Sequence, residues 1–145
     1  MAWKQPKTDW AGKSDADGNY TGDYFNADDY NRIKNNIAEL RTLANSVYYP
    51  EISIQDAGAD KAVGDYLYAD EINVLENNLD KICQGTIPKL AGKKKSYYEN
   101  TATIDFVELN RIEKCCLDLY NNIVNQRDNG RYRLSFTLGT GRRGF

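Results

Sequence analysis

Histidine is absent from all 145 residues. That removes the usual general base near neutral pH, the usual partner of a serine or cysteine nucleophile, and the commonest zinc ligand. Most hydrolase and transferase templates fail on this point, so the chain reads as a non-enzyme with no cofactor and no metal. Cysteine is scarce: Cys83, Cys115 and Cys116 are all there is, and the last two are adjacent on a predicted helix. Neighbouring helix positions point in different directions, so no disulfide framework follows and three reduced core thiols are expected. No apolar run approaches the roughly 20 residues that cross a bilayer. Met1 to Lys7 also lacks the apolar core of a secretory signal, so the chain is expected to stay in the cytosol with no membrane partner. A formal net charge of only −2 gives no general attraction to nucleic acid. The end is locally basic all the same, with Arg131, Arg133, Arg142 and Arg143 and no acid after Asp128.

Aromatic residues are plentiful instead. Eleven tyrosines and two tryptophans favour interfaces, because such side chains bury much area while keeping a polar tip; carbohydrate binding draws on the same residues. Trp3, Trp10, Tyr20, Tyr24 and Phe25 stand in the first 25 residues among Gly, Asp, Ser and Lys, with neither helical nor strand period. This segment reads as an extended arm whose aromatics must be buried, either on its own body or on a neighbour.

Helical periodicity begins at Ala27, where Asn26 can cap and Asp28 and Asp29 suit the positive end of the dipole. Tyr30, Ile33, Ile37, Leu40, Ala44 and Val47 then recur at alternating spacings of three and four, and Pro50 sets the latest end. A second helix is predicted over Ala69–Gln84, with Ile72, Leu75, Leu79 and Ile82 on one face and Gly85 as its stop. Between them Ile52 and Ile54 alternate with polar residues, which suits a short strand or an extended crossing. A third helix, capped by Thr103, carries the stripe Leu109, Ile112, Cys116, Leu119 and Ile123. Gly85 to Asn100 reads as a surface loop.

Residues 22–40 and 64–82 align without gaps at an offset of 42. Gly22-Asp23-Tyr24 matches Gly64-Asp65-Tyr66, Asn31 matches Asn73, and Asn35-Asn36 matches Asn77-Asn78. Leu109-Asn110-Arg111-Ile112-Glu113 echoes Tyr30-Asn31-Arg32-Ile33-Lys34 as a third copy. The recurring Asn31, Asn73 and Asn110 sit beside the apolar stripe, where an amide could bond to the preceding arm or to a helix end. Three such helices can cover one another's stripes, whereas one alone cannot. The expected fold is mainly α: a three-helix bundle over 26–128, an extended N-terminal arm over 1–25, and a C-terminal β-strand arm with a basic tail over 129–145. The strand is read from the turn Asp128-Asn129-Gly130 and the alternation of Tyr132, Leu134, Phe136 and Leu138.

Familiar motifs fall short. The tail Gly139 to Gly144 is glycine-rich and basic, yet it precedes no helix and lacks the Gly-Lys-Ser/Thr ending of a phosphate loop. Asp15, Asp17 and Asp23 suggest a calcium loop only faintly, since the twelfth position is Phe25 and not an acid. Paired carboxylates cannot be picked out among so many helix-start acids.

Pro6-Lys7-Thr8-Asp9-Trp10, followed by Asp23 through the helix Asp29-Tyr30-Asn31-Arg32-Ile33-Lys34-Asn35-Asn36-Ile37, resembles a segment of structural proteins of phages and prophages of Gram-positive bacteria. The likeness covers residues 6–43, and the remainder only through the internal repeats. It implies a role in the virion, assembled in the bacterial cytoplasm, as a tail or baseplate component and not as an enzyme. The longer members carry a fibre or receptor-binding region after the helices that has no counterpart here. The expected partners are other virion subunits, including copies of this chain. The expected assembly residues are Trp3, Trp10, Tyr24, Phe25, Tyr132, Leu134, Phe136, Leu138, Arg142 and Arg143. A carbohydrate-binding or host-adhesion module is the alternative reading of the aromatics.

Overall fold

A computed structural model describes residues 3–48, 51–86, 96–98 and 104–140, with 129–140 as backbone only. Three packed helices form a mainly α protein: α1 (Ala27–Asn45), α2 (Ala69–Gly85) and α3 (Phe106–Thr140). Each start is chemically marked. Asn26 and Asp29 exchange side-chain and backbone bonds of 3.1 Å in a capping box, satisfying two amides that the first turn leaves open. At α2 the Tyr68 N–H donates to Glu71, and at α3 the Glu108 N–H donates to Asp105. Thr103, the expected cap of α3, lies outside the described residues.

The apolar stripes meet as their spacing requires. Tyr30, Ile33, Ile37, Leu40 and Ala44 from α1, Ile72, Leu75, Leu79 and Ile82 from α2, and Leu109, Ile112, Cys116, Leu119 and Ile123 from α3 are all buried. Val47 falls just beyond α1 and packs on this core in part.

All three helices run the same way. Arg32 near the start of α1 meets Glu113 near the start of α3, and Arg111 of α3 meets Glu76 of α2. Farther along, Cys83 of α2 lies 3.5 Å from Cys115 of α3, so contacts advance together and not in opposite senses. A parallel bundle forces the chain to travel back along each helix before starting the next. Residues 51–68 do so as an extended crossing, antiparallel to the helices: Ile52 meets Asn45 near the end of α1, and Lys61 meets Asn31 near its start. Of the two readings of Ile52 and Ile54, the crossing is the one observed; Ile52 is buried.

Two expectations need correction. The C-terminal strand is not there: α3 continues as helix through Asp128, Asn129 and Gly130 to Thr140, and no β-strand occurs among the described residues. A lone strand would leave its amides and carbonyls without partners, whereas extending a docked helix satisfies them within the segment and adds one bond per residue. On a helix, positions two apart stand about 200° from each other, so the alternating set 132, 134, 136 and 138 no longer shares a face. The N-terminal arm, expected to gain its burial from a neighbouring subunit, lies on its own bundle. Trp10 is 4% exposed there, and Trp3 stacks on Tyr120 of α3 with ring centroids 4.1 Å apart.

All three cysteines are buried and reduced. The hydrogen bond to Cys115, followed by burial, pushes the Cys83 thiol up, and burial pushes Cys116 up. The hydrogen bond to Cys83 pulls Cys115 the other way, so it is burial, common to all three, that keeps them from alkylation. Mass spectrometry after brief iodoacetamide treatment is expected to find no label on the native protein and three labels in urea. Rapid native labelling of any one of them contradicts this packing.

Candidate functional site

The recurring asparagines build the feature that organises the molecule. Asn110 of α3 accepts from the Trp10 N–H (2.8 Å) and donates to the Trp10 carbonyl (3.0 Å). Asn31 of α1 holds the N–H and carbonyl of Lys61 in the same way, each at 2.8 Å. Asn73 of α2 holds both groups of Tyr97, again at 2.8 Å. A side-chain amide presents one acceptor and one donor side by side, matching the two polar groups of a single extended residue. Each of these brackets therefore replaces one rung of a β-ladder.

The pattern is cyclic. Asn31 holds the arm that leads into α2, Asn73 the arm into α3, and Asn110 the arm into α1. These amides do bond to arms, but each holds an arm that leads into another helix and not the one preceding its own. A second set pins the first two arms to their own helices: Asn36 brackets Lys4 (3.0 and 2.8 Å) and Asn78 brackets Gln55 (2.9 and 2.7 Å). Lys4 to Trp10 and Gln55 to Lys61 are both spans of six residues, so the two arms lie in the same register. At α3 the corresponding position is Cys115.

Under two of the brackets lies a buried ion pair. Glu113, 1% exposed, receives Arg32 Nε and Nη2 at 2.8 Å each, the Lys7 N–H at 3.1 Å and the Trp10 indole N–H. Asp29 takes the remaining face of Arg32 at 2.8 Å. Burial opposes the charge of Arg32, yet Glu113 and then Asp29 hold its pKa above the ordinary value. Arg111 repeats the arrangement with Glu76 and Glu108 beneath Tyr97. Such pairs gain their stability from complete hydrogen bonding and not from charge alone.

The second junction, where the second arm crosses α1, inverts the polarity. Where the others have Glu, α1 has Lys34, and where they have Arg, α2 has Val74. Lys34 is buried and donates to the Gly58 carbonyl at 2.8 Å and to Asp60 at 2.7 Å. Lys7, which occupies the register of Gly58 in the first arm, turns its N–H to a carboxylate instead. Gly58 adopts φ +85°, a conformation that side chains disfavour, and this turns its carbonyl toward the ammonium. The hydrogen bonds to Lys34 and then Asn35 hold the Asp60 carboxyl below its ordinary value.

No protein-family model matches the chain, and no curated protein or solved structure matches it. Among the described residues no cluster of cysteines and acids could hold a metal ion, and no helix is long and apolar enough to cross a membrane.

The expected assembly residues divide. Trp3, Trp10 and Phe25 are drawn together on the bundle, with Phe25 edge-on to Trp10 at 5.9 Å. Tyr24 is 69% exposed and packs only edge-on against Tyr20. Tyr132, Leu134, Phe136 and Leu138 lie on the extension of α3, and Arg142 and Arg143 lie outside the described residues. The sequence reading missed Asn36, Asn78, Arg32, Arg111, Glu76 and Glu113. Their signal was present in the repeat, where the paired asparagines recur.

Two outcomes test this account. Asn110→Ala leaves both polar groups of Trp10 without their partner and is expected to cost about 1–3 kcal/mol in urea unfolding. Lys34→Glu is expected to destabilise by about 3–5 kcal/mol, and adding Val74→Arg to recover more than about 1 kcal/mol by recreating the pair found at the other junctions. A purely additive double variant contradicts the equivalence of the three junctions.

Proposed function

We propose that this chain is a structural subunit of a phage or prophage virion, a tail or baseplate component that acts by assembly. The observation that carries the proposal is the fate of the residues behind the family resemblance. Trp10, Asn31, Arg32 and Asn36 join arms to helices through brackets and an ion pair, Asn26 caps α1, and Asp23 clasps the arm to itself at Ala11. A motif whose residues are used in this way describes a building unit and not a reaction.

The N-terminal arm is engaged within the chain, so the assembly contact falls to the other end. Matched through the repeat, Asn45 at the end of α1 corresponds to position 124, and α3 runs sixteen residues farther. That extension is about 24 Å long at 1.5 Å per residue. It carries Arg131 and Arg133 and is followed by Arg142 and Arg143. Neighbouring virion subunits, copies of this chain included, are the partners this extension would meet.

Tyr24, Tyr66, Tyr68 and Tyr98 are each at least 60% exposed, and all stand in segments leading into a helix. They favour the second reading, a carbohydrate-binding or adhesive module, because exposed phenol rings are sugar platforms as well as protein contacts. Particles released from the encoding bacterium are expected to contain this chain by mass spectrometry. The full-length chain is expected to associate in analytical ultracentrifugation, and residues 1–128 to remain monomeric. Glycan-array binding by a monomeric full-length chain would instead establish the second reading.

A further inference from the structure

The internal repeat supplies its own control for what each junction should contain. Where the first arm crosses α3, Trp3 and Tyr120 stack at 4.1 Å with their planes 10° apart. The same register where the second arm crosses α1 holds Ile54 and Arg41. Nearby positions shrink as well: Leu117 corresponds to Ala38, Pro6 to Ala57 and Lys7 to Gly58. A cavity of about 590 Å³ occupies that place, lined by Ile54, Arg41, Ala38, Ala57, Gly58 and Asn35 among others. Its size is that of a small-molecule site.

The walls are chemically specific. Arg41 is fixed by bonds to the Ile52 carbonyl (3.0 Å) and Glu51 (3.1 Å), so it offers a planar cation where Tyr120 offers a ring. Asn35 donates to Asp60 at 3.2 Å, but its buried Oδ1 accepts no hydrogen bond from any described residue. A buried acceptor of this kind gains from a ligand that brings a donor.

We propose that this cavity binds a planar aromatic ring bearing one N–H or O–H donor, of the indole or phenol class, which takes the place filled by the Trp3–Tyr120 stack at the first junction. The ring lies against the Arg41 guanidinium and donates to Asn35 Oδ1. The inference stands on the repeat and the cavity and is independent of a virion role.

The test is an amide-resolved NMR titration of the whole chain with indole, 1-methylindole and N-acetyl-L-tryptophanamide. Indole is expected to give saturable shifts at Asn35, Gly58 and Asp60. 1-Methylindole, lacking the donor, is expected to bind roughly 3- to 10-fold more weakly, the worth of one hydrogen bond. The tryptophan amide distinguishes the source: binding by both it and indole points to a side chain offered by another polypeptide, and binding by indole alone to a free aromatic. Ile54→Trp with Arg41→Tyr copies the filled junction and is expected to abolish binding. Ala38→Leu is a milder block should that pair fail to fold. Absence of saturable shifts, equal binding of indole and 1-methylindole, or shifts that persist in a folded blocked variant would each overturn the proposal.

Discussion

A chain laid along a helix has no sheet to satisfy its backbone, yet it cannot be buried with amides and carbonyls left open. The rest of this structure follows from how that conflict is met. One asparagine on each helix pairs with both polar groups of one arm residue, and this fixes the arm's position and its register together. Trp10 can be buried because Asn110 takes its backbone and Glu113 takes its indole N–H. Glu113 can be buried because Arg32, Lys7 and Trp10 complete its hydrogen bonding. Charge, aromatic and backbone are thus satisfied as one network, and each member makes the burial of the others tolerable.

Parallel packing explains the long connections. An antiparallel trio would need only short turns, whereas here the stretches that lead into α1 and α2 run back along the bundle. The arms become part of the body by that route, and cyclic bracketing ties the last helix back to the first arm. The three junctions share a plan but not a sign. At the second, a lysine replaces the carboxylate, and a glycine with φ +85° turns a carbonyl to face it. The arm's backbone has followed the reversal of charge on the helix.

Much of this was legible in the residues. Spacings of three and four located the helices and nearly all of their buried positions, and the offset of 42 exposed the repeat. Asn26 announced its own cap. The partners of the asparagines were not legible, because a side-chain amide with two polar groups looks the same whether it binds an arm, a helix end or water. Period misled at Tyr132 to Leu138: alternation describes what a strand would bury, but no second strand exists in the described chain to pair with it. The aromatic arm was ambiguous for a related reason, since hydrophobicity demands burial without naming the surface. The ion pairs escaped notice because Arg32 and Glu113 are 81 residues apart, and charges on helix faces are ordinarily solvated.

The first arm also differs from the second by length. Trp10 and Lys61 stand 51 positions apart, whereas Asn31 and Asn73 stand 42 apart, so nine additional residues lie between Ala11 and Asp23. They form a small hairpin in which Ser14 pairs with Tyr20, while the Ala11 N–H still reaches the Asp23 carboxylate as the Ala62 N–H reaches Asp65. The same clasp thus closes over a short connection in one repeat and one nine residues longer in the other. A display loop of foreign sequence could occupy the same seam, its length free to vary so long as the two stems are clasped.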